Sequence, residues 1–267
     1  VFVDINPKTF NIDPAKIEKK ITKKTKAIIP VHIFGQPADM GPIMKIARKY
    51  KLKVIEDAAQ AIGAEYKGKK TCSFGDTGCL SFFPSKNLGG YGDGGMVVTN
   101  SKKIADRVKM IRQHGSKIKY QNDVLGVNSR LDTLQAAILR VKLKYLNRWA
   151  GKKNKVAERY NKLLKGVGDI QTPYKEKWAK HVYHQYTLRV SKRDKLQEYL
   201  KKYDIPTMVY YTKPLHLQKA FKYLGYKKGD FPEAEKAAKE VLSLPIYAEL
   251  EEKEQRLIVN KIEEFYK

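Results

Sequence analysis

Apolar positions follow two rhythms along the first half of the chain. Val1-Phe2-Val3-Asp4-Ile5 reads as a strand, Ala27-Ile28-Ile29-Pro30-Val31 as a buried apolar strand, and Val54-Ile55 as a short strand ending at Glu56-Asp57. Leu80-Ser81-Phe82-Phe83 and Met96-Val97-Val98-Thr99 read as two more. Between them the period lengthens. Asp13 is an N-cap with Pro14 at the first helical position, which predicts a helix to about Thr22. Ile43, Ile46, Ala47 and Tyr50 fall at i, i+3, i+4 and i+7, and Ile104, Val108 and Ile111 mark a later helix. Strands separated by helices of this length predict an α/β fold with a largely parallel sheet and helices on both faces.

The second half changes character. Leu131, Leu134, Ile138, Val141 and Tyr145 form one stripe, which predicts a long helix running to Trp149 and beyond. After Gly166 the pattern predicts a strand at His184–Val190, a helix at Arg193–Lys202 and a strand at Met208–Tyr211. Closing helices are expected at Ala234–Leu242 and Glu252–Tyr266. The expected division is a large domain, 1–148, and a smaller α+β domain, 149–267. There is no internal repeat and no low-complexity segment.

Composition narrows the class. The chain has 267 residues, 42% of them hydrophobic, which is enough for a sizeable core. No apolar run is long enough to span a bilayer, and the first residues lack the basic region and cleavage site of a signal peptide. Two cysteines, Cys72 and Cys79, cannot build a disulfide framework, so a cytoplasmic setting is expected. The net charge of +26 raises nucleic acid as a partner. However, the lysines are spread over helix faces, as at Lys45, Arg48, Lys49 and Lys51, with no basic tail and no aromatic-basic ladder. No nucleic-acid partner, membrane or metal is therefore expected.

The chemistry gathers at strand ends, where ligands sit in an open α/β sheet. His32 follows Val31, and Glu56-Asp57-Ala58-Ala59-Gln60 follow Ile55. Ser81 lies on the next strand, and Pro84-Ser85-Lys86-Asn87 lead into a glycine-rich turn from Gly89 to Gly95. The turn is neither a Walker loop nor a Rossmann loop. Alone, Lys86 would be a solvated amine, Asp57 a helix cap, Ser81 a backbone-bonded hydroxyl, Gln60 a surface amide and His32 a structural residue. Together they suit pyridoxal phosphate. That cofactor needs a lysine to form a Schiff base and a carboxylate beside the pyridine nitrogen. It also needs hydroxyl and amide donors, and a small apolar residue against the ring. Lys86, Asp57, Ser81, Gln60 and Ala59 match those needs.

These residues also resemble a known family. Glu56–Ala61, Ser81–Gly89, Gly92-Asp93-Gly94-Gly95 and Asn128-Ser129-Arg130-Leu131-Asp132 are similar to the DegT/DnrJ/StrS sugar aminotransferases. Pro30–Pro37, His181–Tyr186 and Leu242–Tyr247 match family segments too. The resemblance implies a fold-type I transferase with a three-layer αβα large domain, working as a homodimer with shared sites. It implies pyridoxal 5'-phosphate, alternating with pyridoxamine phosphate. Lys86 would be the Schiff-base lysine, Asp57 the partner of the pyridine nitrogen, Gln60 a partner of the ring oxygen, and Ser81 a phosphate ligand. Asn128 would reach the phosphate in the other subunit. Arg130, Tyr211, Lys213 and His216 are the candidates for substrate contacts.

The implied reaction moves an amino group from an amino acid, L-glutamate by resemblance, to a nucleotide-linked keto sugar. The segment Ser81–Gly89 reads closest to relatives that aminate carbon 3 of UDP-linked N-acetyl sugars for surface polysaccharide or lipopolysaccharide. A 4-keto sugar is the runner-up and a keto-inositol third. A non-catalytic regulator or nucleic-acid binder on the same scaffold is the rival of a different class. Relatives begin upstream of Val1, so the large domain is expected to be incomplete here. At Tyr210-Tyr211-Thr212 many relatives read His-Tyr-Pro, so sugar preference is expected to differ.

Overall fold

A computed structural model describes all residues, 1–267. The elements along the chain are β1 (Ala27–Ile28), α1 (Met40–Lys49), β2 (Lys53–Asp57), β3 (Glu65–Tyr66), β4 (Lys69–Lys70), β5 (Thr77–Ser81) and β6 (Gly95–Val98). Then come α2 (Lys102–Arg112), β7 (Ser116–Ile118), β8 (Gln121–Asn122), α3 (Thr133–Leu143) and α4 (Leu146–Leu163). The last are β9 (Ala179–Lys180), β10 (Tyr186–Arg189), α5 (Arg193–Lys201), α6 (Pro232–Glu240), β11 (Val241–Leu244) and α7 (Glu252–Tyr266).

The main sheet has the order β1-β2-β5-β6. β1 pairs with β2, and β2 with β5, in parallel. β6 runs antiparallel to β5, so the turn between them reverses the chain at the edge where β5 ends. Asp57 stands in register with Cys79. Beneath this sheet Ile28, Ile43, Ala47, Val54 and Tyr66 share one apolar cluster, which is why the 3.6-residue pattern of α1 faces inward. A separate cluster draws only on residues from 156 onward, with Tyr160, Tyr186, Leu188, Leu196 and Leu242 fully buried. β10 and β11 pair antiparallel through it, from Tyr186↔Leu244 to Arg189↔Val241.

The structure corrects several readings of the pattern. Val1–Ile5 is not a strand; Ile5 makes a single bridge to Ile12, and Phe2 packs edge-on to Phe221 instead. Asp4 is buried and its carboxylate accepts from the backbone N–H groups of Glu233 and Ala234, capping α6 from the far end of the sequence. Asp13 does cap its turn, by accepting from the N–H of Ala15, but the segment forms two short 3-10 turns, Pro14–Lys16 and Glu18–Lys20, not an α-helix to Thr22. Only Ala27–Ile28 of the second predicted strand pairs as a ladder, because Pro30 cannot donate to it.

The long helix breaks at Lys144–Tyr145 into α3 and α4, since the buried face changes there. α3 buries only Leu139, whereas α4 buries Leu146, Ala150, Val156, Ala157 and Tyr160. Strand β10 is shorter than predicted and leaves His184 outside it. Met208–Tyr211 is reduced to one bridge, Met208↔Ser243. Leu242 belongs to β11 and not to the helix before it. α7 starts on a capping box in which Glu251 and Glu254 each accept from the other's backbone N–H. No helix is long and apolar enough to cross a membrane.

Candidate functional site

Asp57 is the last residue of β2 and its backbone is clamped by the 30–32 segment beside it. Its N–H donates to the carbonyl of Pro30 at 2.9 Å, and its carbonyl accepts from the N–H of His32 at 2.9 Å. One carboxylate oxygen, Oδ1, accepts from the N–H of Ala59 at 3.0 Å, which fixes the side-chain rotamer and leaves Oδ2 unengaged. The carboxylate is half-buried, and its negative charge reaches Lys86, Tyr211, Cys72 and Cys79.

Beneath Asp57 lies a buried ionic knot that sequence reasoning did not find. Glu56 is fully buried. Its Oε1 accepts from the N–H groups of Phe74 and Gly75 at 2.8 Å each, and its Oε2 from the N–H of Cys72 at 2.8 Å and from His32 Nε2 at 3.1 Å. His32 Nδ1 accepts from the N–H of Ala38, so Nε2 carries the proton. Burial works to raise the Glu56 pKa, but the bonds from His32, Gly75 and Phe74 together hold it below the usual carboxylate range. His32 is thus structural, and the knot anchors the strand end that presents Asp57. Cys72 and Cys79 are both free thiols, and burial pushes Cys72 up to about 12.

Lys86 sits on the turn after β5. Its N–H donates to the carbonyl of Phe83 at 2.9 Å, and the N–H of Gly90 donates to the carbonyl of Phe82 at 2.8 Å, so two closures shape the turn. Glycine is required at 89, where a Cβ would stand 2.2 Å from the Pro84 carbonyl oxygen. The Lys86 amine is half-buried; burial lowers its pKa, and the Asp57 carboxylate opposes that shift. Ser81 is half-buried and its Oγ accepts from the N–H of Phe83 at 3.3 Å, which leaves its own proton free to donate.

Gln60 is oriented by its neighbours. Its Oε1 accepts from the N–H of Phe34 at 2.6 Å, and its Nε2 donates to the Tyr211 hydroxyl at 3.2 Å. Burial raises the Tyr211 phenol, against the pull of the Gln60 bond. Asp57 with Gln60, Lys86 and Tyr211 are therefore brought together from three separate stretches of chain. A free amine, a free carboxylate oxygen, an amide with one N–H to spare and a hydroxyl donor are the groups that a protonated pyridine carrying an aldehyde and a phosphate would use. The residues fit that cofactor.

Other candidates lie elsewhere. Asn128 and Arg130 are exposed, with Asn128 bridging Gln113. Lys213 is exposed. His216 is only 4% exposed, bonded to Glu235 at 3.0 Å and packed on Phe231, so it is held as a structural residue away from solvent. His184, in contrast, was not assigned a role from the sequence. It is 6% exposed, its Nδ1 has no partner, and its pKa is pushed down to about 3 by burial and by the charges of Lys86 and Lys153. The only signal was its place in the His181–Tyr186 segment.

The profile of the DegT/DnrJ/EryC1/StrS aminotransferase family matches residues 1–263. The chain is 58% identical over its whole length to a "Pleiotropic regulatory protein" of Geobacillus stearothermophilus, covering 72% of that protein. It is 47% identical, over 94% of its length and 69% of the relative, to the UDP-2-acetamido-2-deoxy-3-oxo-D-glucuronate aminotransferase of Pseudomonas aeruginosa. Among solved structures, S. venezuelae DesV in complex with a ketimine intermediate superposes with a TM-score of 0.96 at 38% identity, covering 100% of this chain and 72% of that one.

Proposed function

The chain belongs to the DegT/DnrJ/EryC1/StrS aminotransferase family, and from that premise we infer that it carries an amino group from L-glutamate to a nucleotide-linked keto sugar. A UDP-linked 3-keto N-acetyl sugar is the acceptor we assign, in the assembly of a surface polysaccharide or lipopolysaccharide. The name of the Pseudomonas relative, 47% identical, supports a 3-oxo UDP-sugar over a 4-keto sugar or a keto-inositol. The fold is α/β, that of the pyridoxal-phosphate-dependent sugar aminotransferases.

When bound, pyridoxal phosphate supplies an aldehyde that receives the amino group and a protonated ring that stores electrons. The protein does the rest. Lys86 holds the cofactor, and once its amine is free it takes the proton from the donor's α-carbon. Burial, by lowering the Lys86 pKa, enlarges the fraction of free base at neutral pH. The unengaged Oδ2 of Asp57 is the group that holds a proton on the ring nitrogen, with its rotamer fixed by the Ala59 N–H. The spare Gln60 N–H meets the ring oxygen, Ser81 donates to the phosphate, and Ala59 lies against the ring. Asn128 serves the phosphate in a second copy, and Arg130, Tyr211 and Lys213 face the sugar nucleotide.

The observation that carries this reading is the gathering of the half-buried Lys86 amine, the unengaged Oδ2 of Asp57 and the oriented Gln60 amide at the strand ends of one sheet. The test is direct. Borohydride reduction of the full-length protein with pyridoxal phosphate, followed by peptide mass spectrometry, is expected to leave the cofactor on the Lys86 peptide. Lys86→Ala should abolish that adduct and lower turnover by more than about 1,000-fold, as loss of a covalent catalyst does. An adduct of unchanged yield in Lys86→Ala contradicts the assignment. A panel of 3-keto, 4-keto and inositol acceptors then sorts the substrate.

The homodimer belongs to the same proposal. Leu134, Val141, Leu143 and Tyr145 around α3, and Met96 and Val97 on β6, are large apolar side chains left exposed, which supports a second copy covering them. So do a division near residue 148, supported by the separate apolar cluster that begins at Val156, and a cytoplasmic site of action, supported by the two free thiols. A second reading, a regulator, is favoured by the name of the Geobacillus relative and by the +26 charge. It gives no account of why a free amine, a free carboxylate and an oriented amide converge.

A further inference from the structure

Lys153 is unlike the other lysines of this chain. It lies half-buried on α4, where its Nζ donates to Asn87 Oδ1 at 2.9 Å. It takes part in no ion pair. Burial alone pushes its pKa down to about 8. A cation partly desolvated without a counter-ion is a costly arrangement. Asn87 directly follows Lys86, and its Nδ2 donates to the carbonyl of Val182 at 3.1 Å. One amide thus ties together α4, the Lys86 turn and the 181–184 segment.

The charge decides which way that amide faces. An ammonium has donors only and a carbonyl oxygen is an acceptor only. With Lys153 on one side and Val182 O on the other, Asn87 satisfies both in a single orientation. The Val182 segment is itself pinned. Val182 N–H donates to the carbonyl of Gly35 at 3.0 Å, and Gly35, at φ +99°, approaches so closely that a Cβ there would stand 2.8 Å from the His184 nitrogen. The residue before Gly35 is Phe34, whose N–H orients Gln60. The Asn87 bridge therefore couples the Lys86 turn to the loop that sets the Gln60 amide, through the segment that carries His184, whose Nδ1 has no partner.

We propose that Lys153 is a positioning residue for Lys86: through Asn87 it locks the turn that carries the reactive amine against the 182–184 segment, in the one register in which Lys86, His184 and Gln60 face a common space. It touches neither substrate nor cofactor. The cofactor arm of its test rests on the aminotransferase reading above; the labelling arm does not.

The test uses the full-length protein as wild type, Lys153→Met, Lys153→Arg and Asn87→Ala. Two readouts are taken. The first is the rate of chemical acetylation of Lys86 in the cofactor-free protein, read by isotope-labelled mass spectrometry against surface lysines. The second is the rate of capture of pyridoxal phosphate trapped by borohydride. Thermal unfolding checks that each variant folds; Met in place of an unpaired, half-buried cation is expected to leave the melting temperature unchanged or raise it. Lys153→Met and Asn87→Ala should change Lys86 labelling at least 3-fold and slow cofactor capture about 10-fold or more, while Lys153→Arg stays within about 3-fold of wild type in both. A folded Lys153→Met protein whose Lys86 labels at the wild-type rate overturns the proposal. A wild type that captures no cofactor, while its Lys86 labelling still depends on Lys153, overturns the enzyme reading and leaves the positioning role standing. If Lys153→Met proves unfolded, Asn87→Ala carries the decision, and wild-type labelling there is equally fatal.

Discussion

At the scale of single residues, the acids and histidines that surround the site are poised by burial, and this has measurable consequences. Glu56 satisfies three backbone N–H groups and one imidazole with a single carboxylate. Glu56→Gln turns one acceptor into a donor facing donors, so it should cost about 3 kcal/mol of stability, read as a lower denaturant midpoint. Its folded pKa lies below the usual value, so its contribution is present above the unfolded pKa and is lost as pH falls through the lower, native one. The histidines act earlier. His181 and His184 are held neutral, pushed down to about 3 from an ordinary 6.5. Below 6.5 the unfolded chain takes up protons that the folded chain refuses, so stability falls from pH 6.5 downward, by up to about 1.4 kcal/mol per pH unit for each histidine. His181→Asn, which keeps an acceptor for the Tyr183 N–H, should flatten that slope in melting curves taken between pH 6.5 and 5. An unchanged slope would mean that His181 is protonated in the folded protein. Asp57 at the end of β2 and Lys86 on the turn after β5 stand at the strand ends where the α/β pattern puts them. Lys153 was not legible in the sequence, because nothing in Gly151-Lys152-Lys153-Asn154-Lys155 marks which amine meets Asn87.

At the scale of elements, the site hangs on strand ends and one clamped turn, and the pattern was read well where an element buries one face. α1, β2, α2 and α7 appear where their periods put them. Strand expectations failed where partners were missing. Val1–Ile5 is mostly apolar but has no ladder to join, and Met208–Tyr211 meets β11 at one residue only. The apolar stripe from Leu131 to Tyr145 predicts one long helix running to Trp149 and beyond. Instead it runs along α3 with Leu134 71% and Val141 59% exposed. Periodicity reports that a face is apolar and not whose core it faces. If that face is the seat of a second copy, Leu134→Glu with Val141→Glu should weaken self-association at least 10-fold in sedimentation velocity. The same change should leave the helical circular dichroism intact, because neither side chain supports the monomer core. Loss of helicity with no change in mass would reverse that assignment.

At the scale of the whole molecule, the charge of +26 is the property with no local explanation. Thirteen ion pairs join a lysine or arginine to a carboxylate, but most join exposed side chains, such as Lys102–Asp106 and Arg256–Glu252, and contribute little each. Most cations therefore face one another across solvent, and self-repulsion works against the compact state. Salt screens such repulsion over about 8–10 Å near physiological ionic strength. The melting temperature should thus rise when sodium chloride is raised from about 20 to 300 mM, a range that shortens the screening length several-fold. A protein stabilised by its ion pairs would show the opposite trend. The same field separates the two functional readings. A diffuse lysine surface binds any polyanion weakly, so affinity for a random DNA duplex, followed by fluorescence anisotropy, should collapse on going from 50 to about 200 mM salt. A regulator that reads nucleic acid would instead keep one sequence bound above that salt, because base contacts, unlike phosphate contacts, are not paid back by released counter-ions. Retention of a specific duplex at 200 mM, together with no adduct at Lys86, would move the chain from enzyme to regulator; loss of all duplex binding, with the adduct present, leaves the surface charge as a solvated coat around an aminotransferase site.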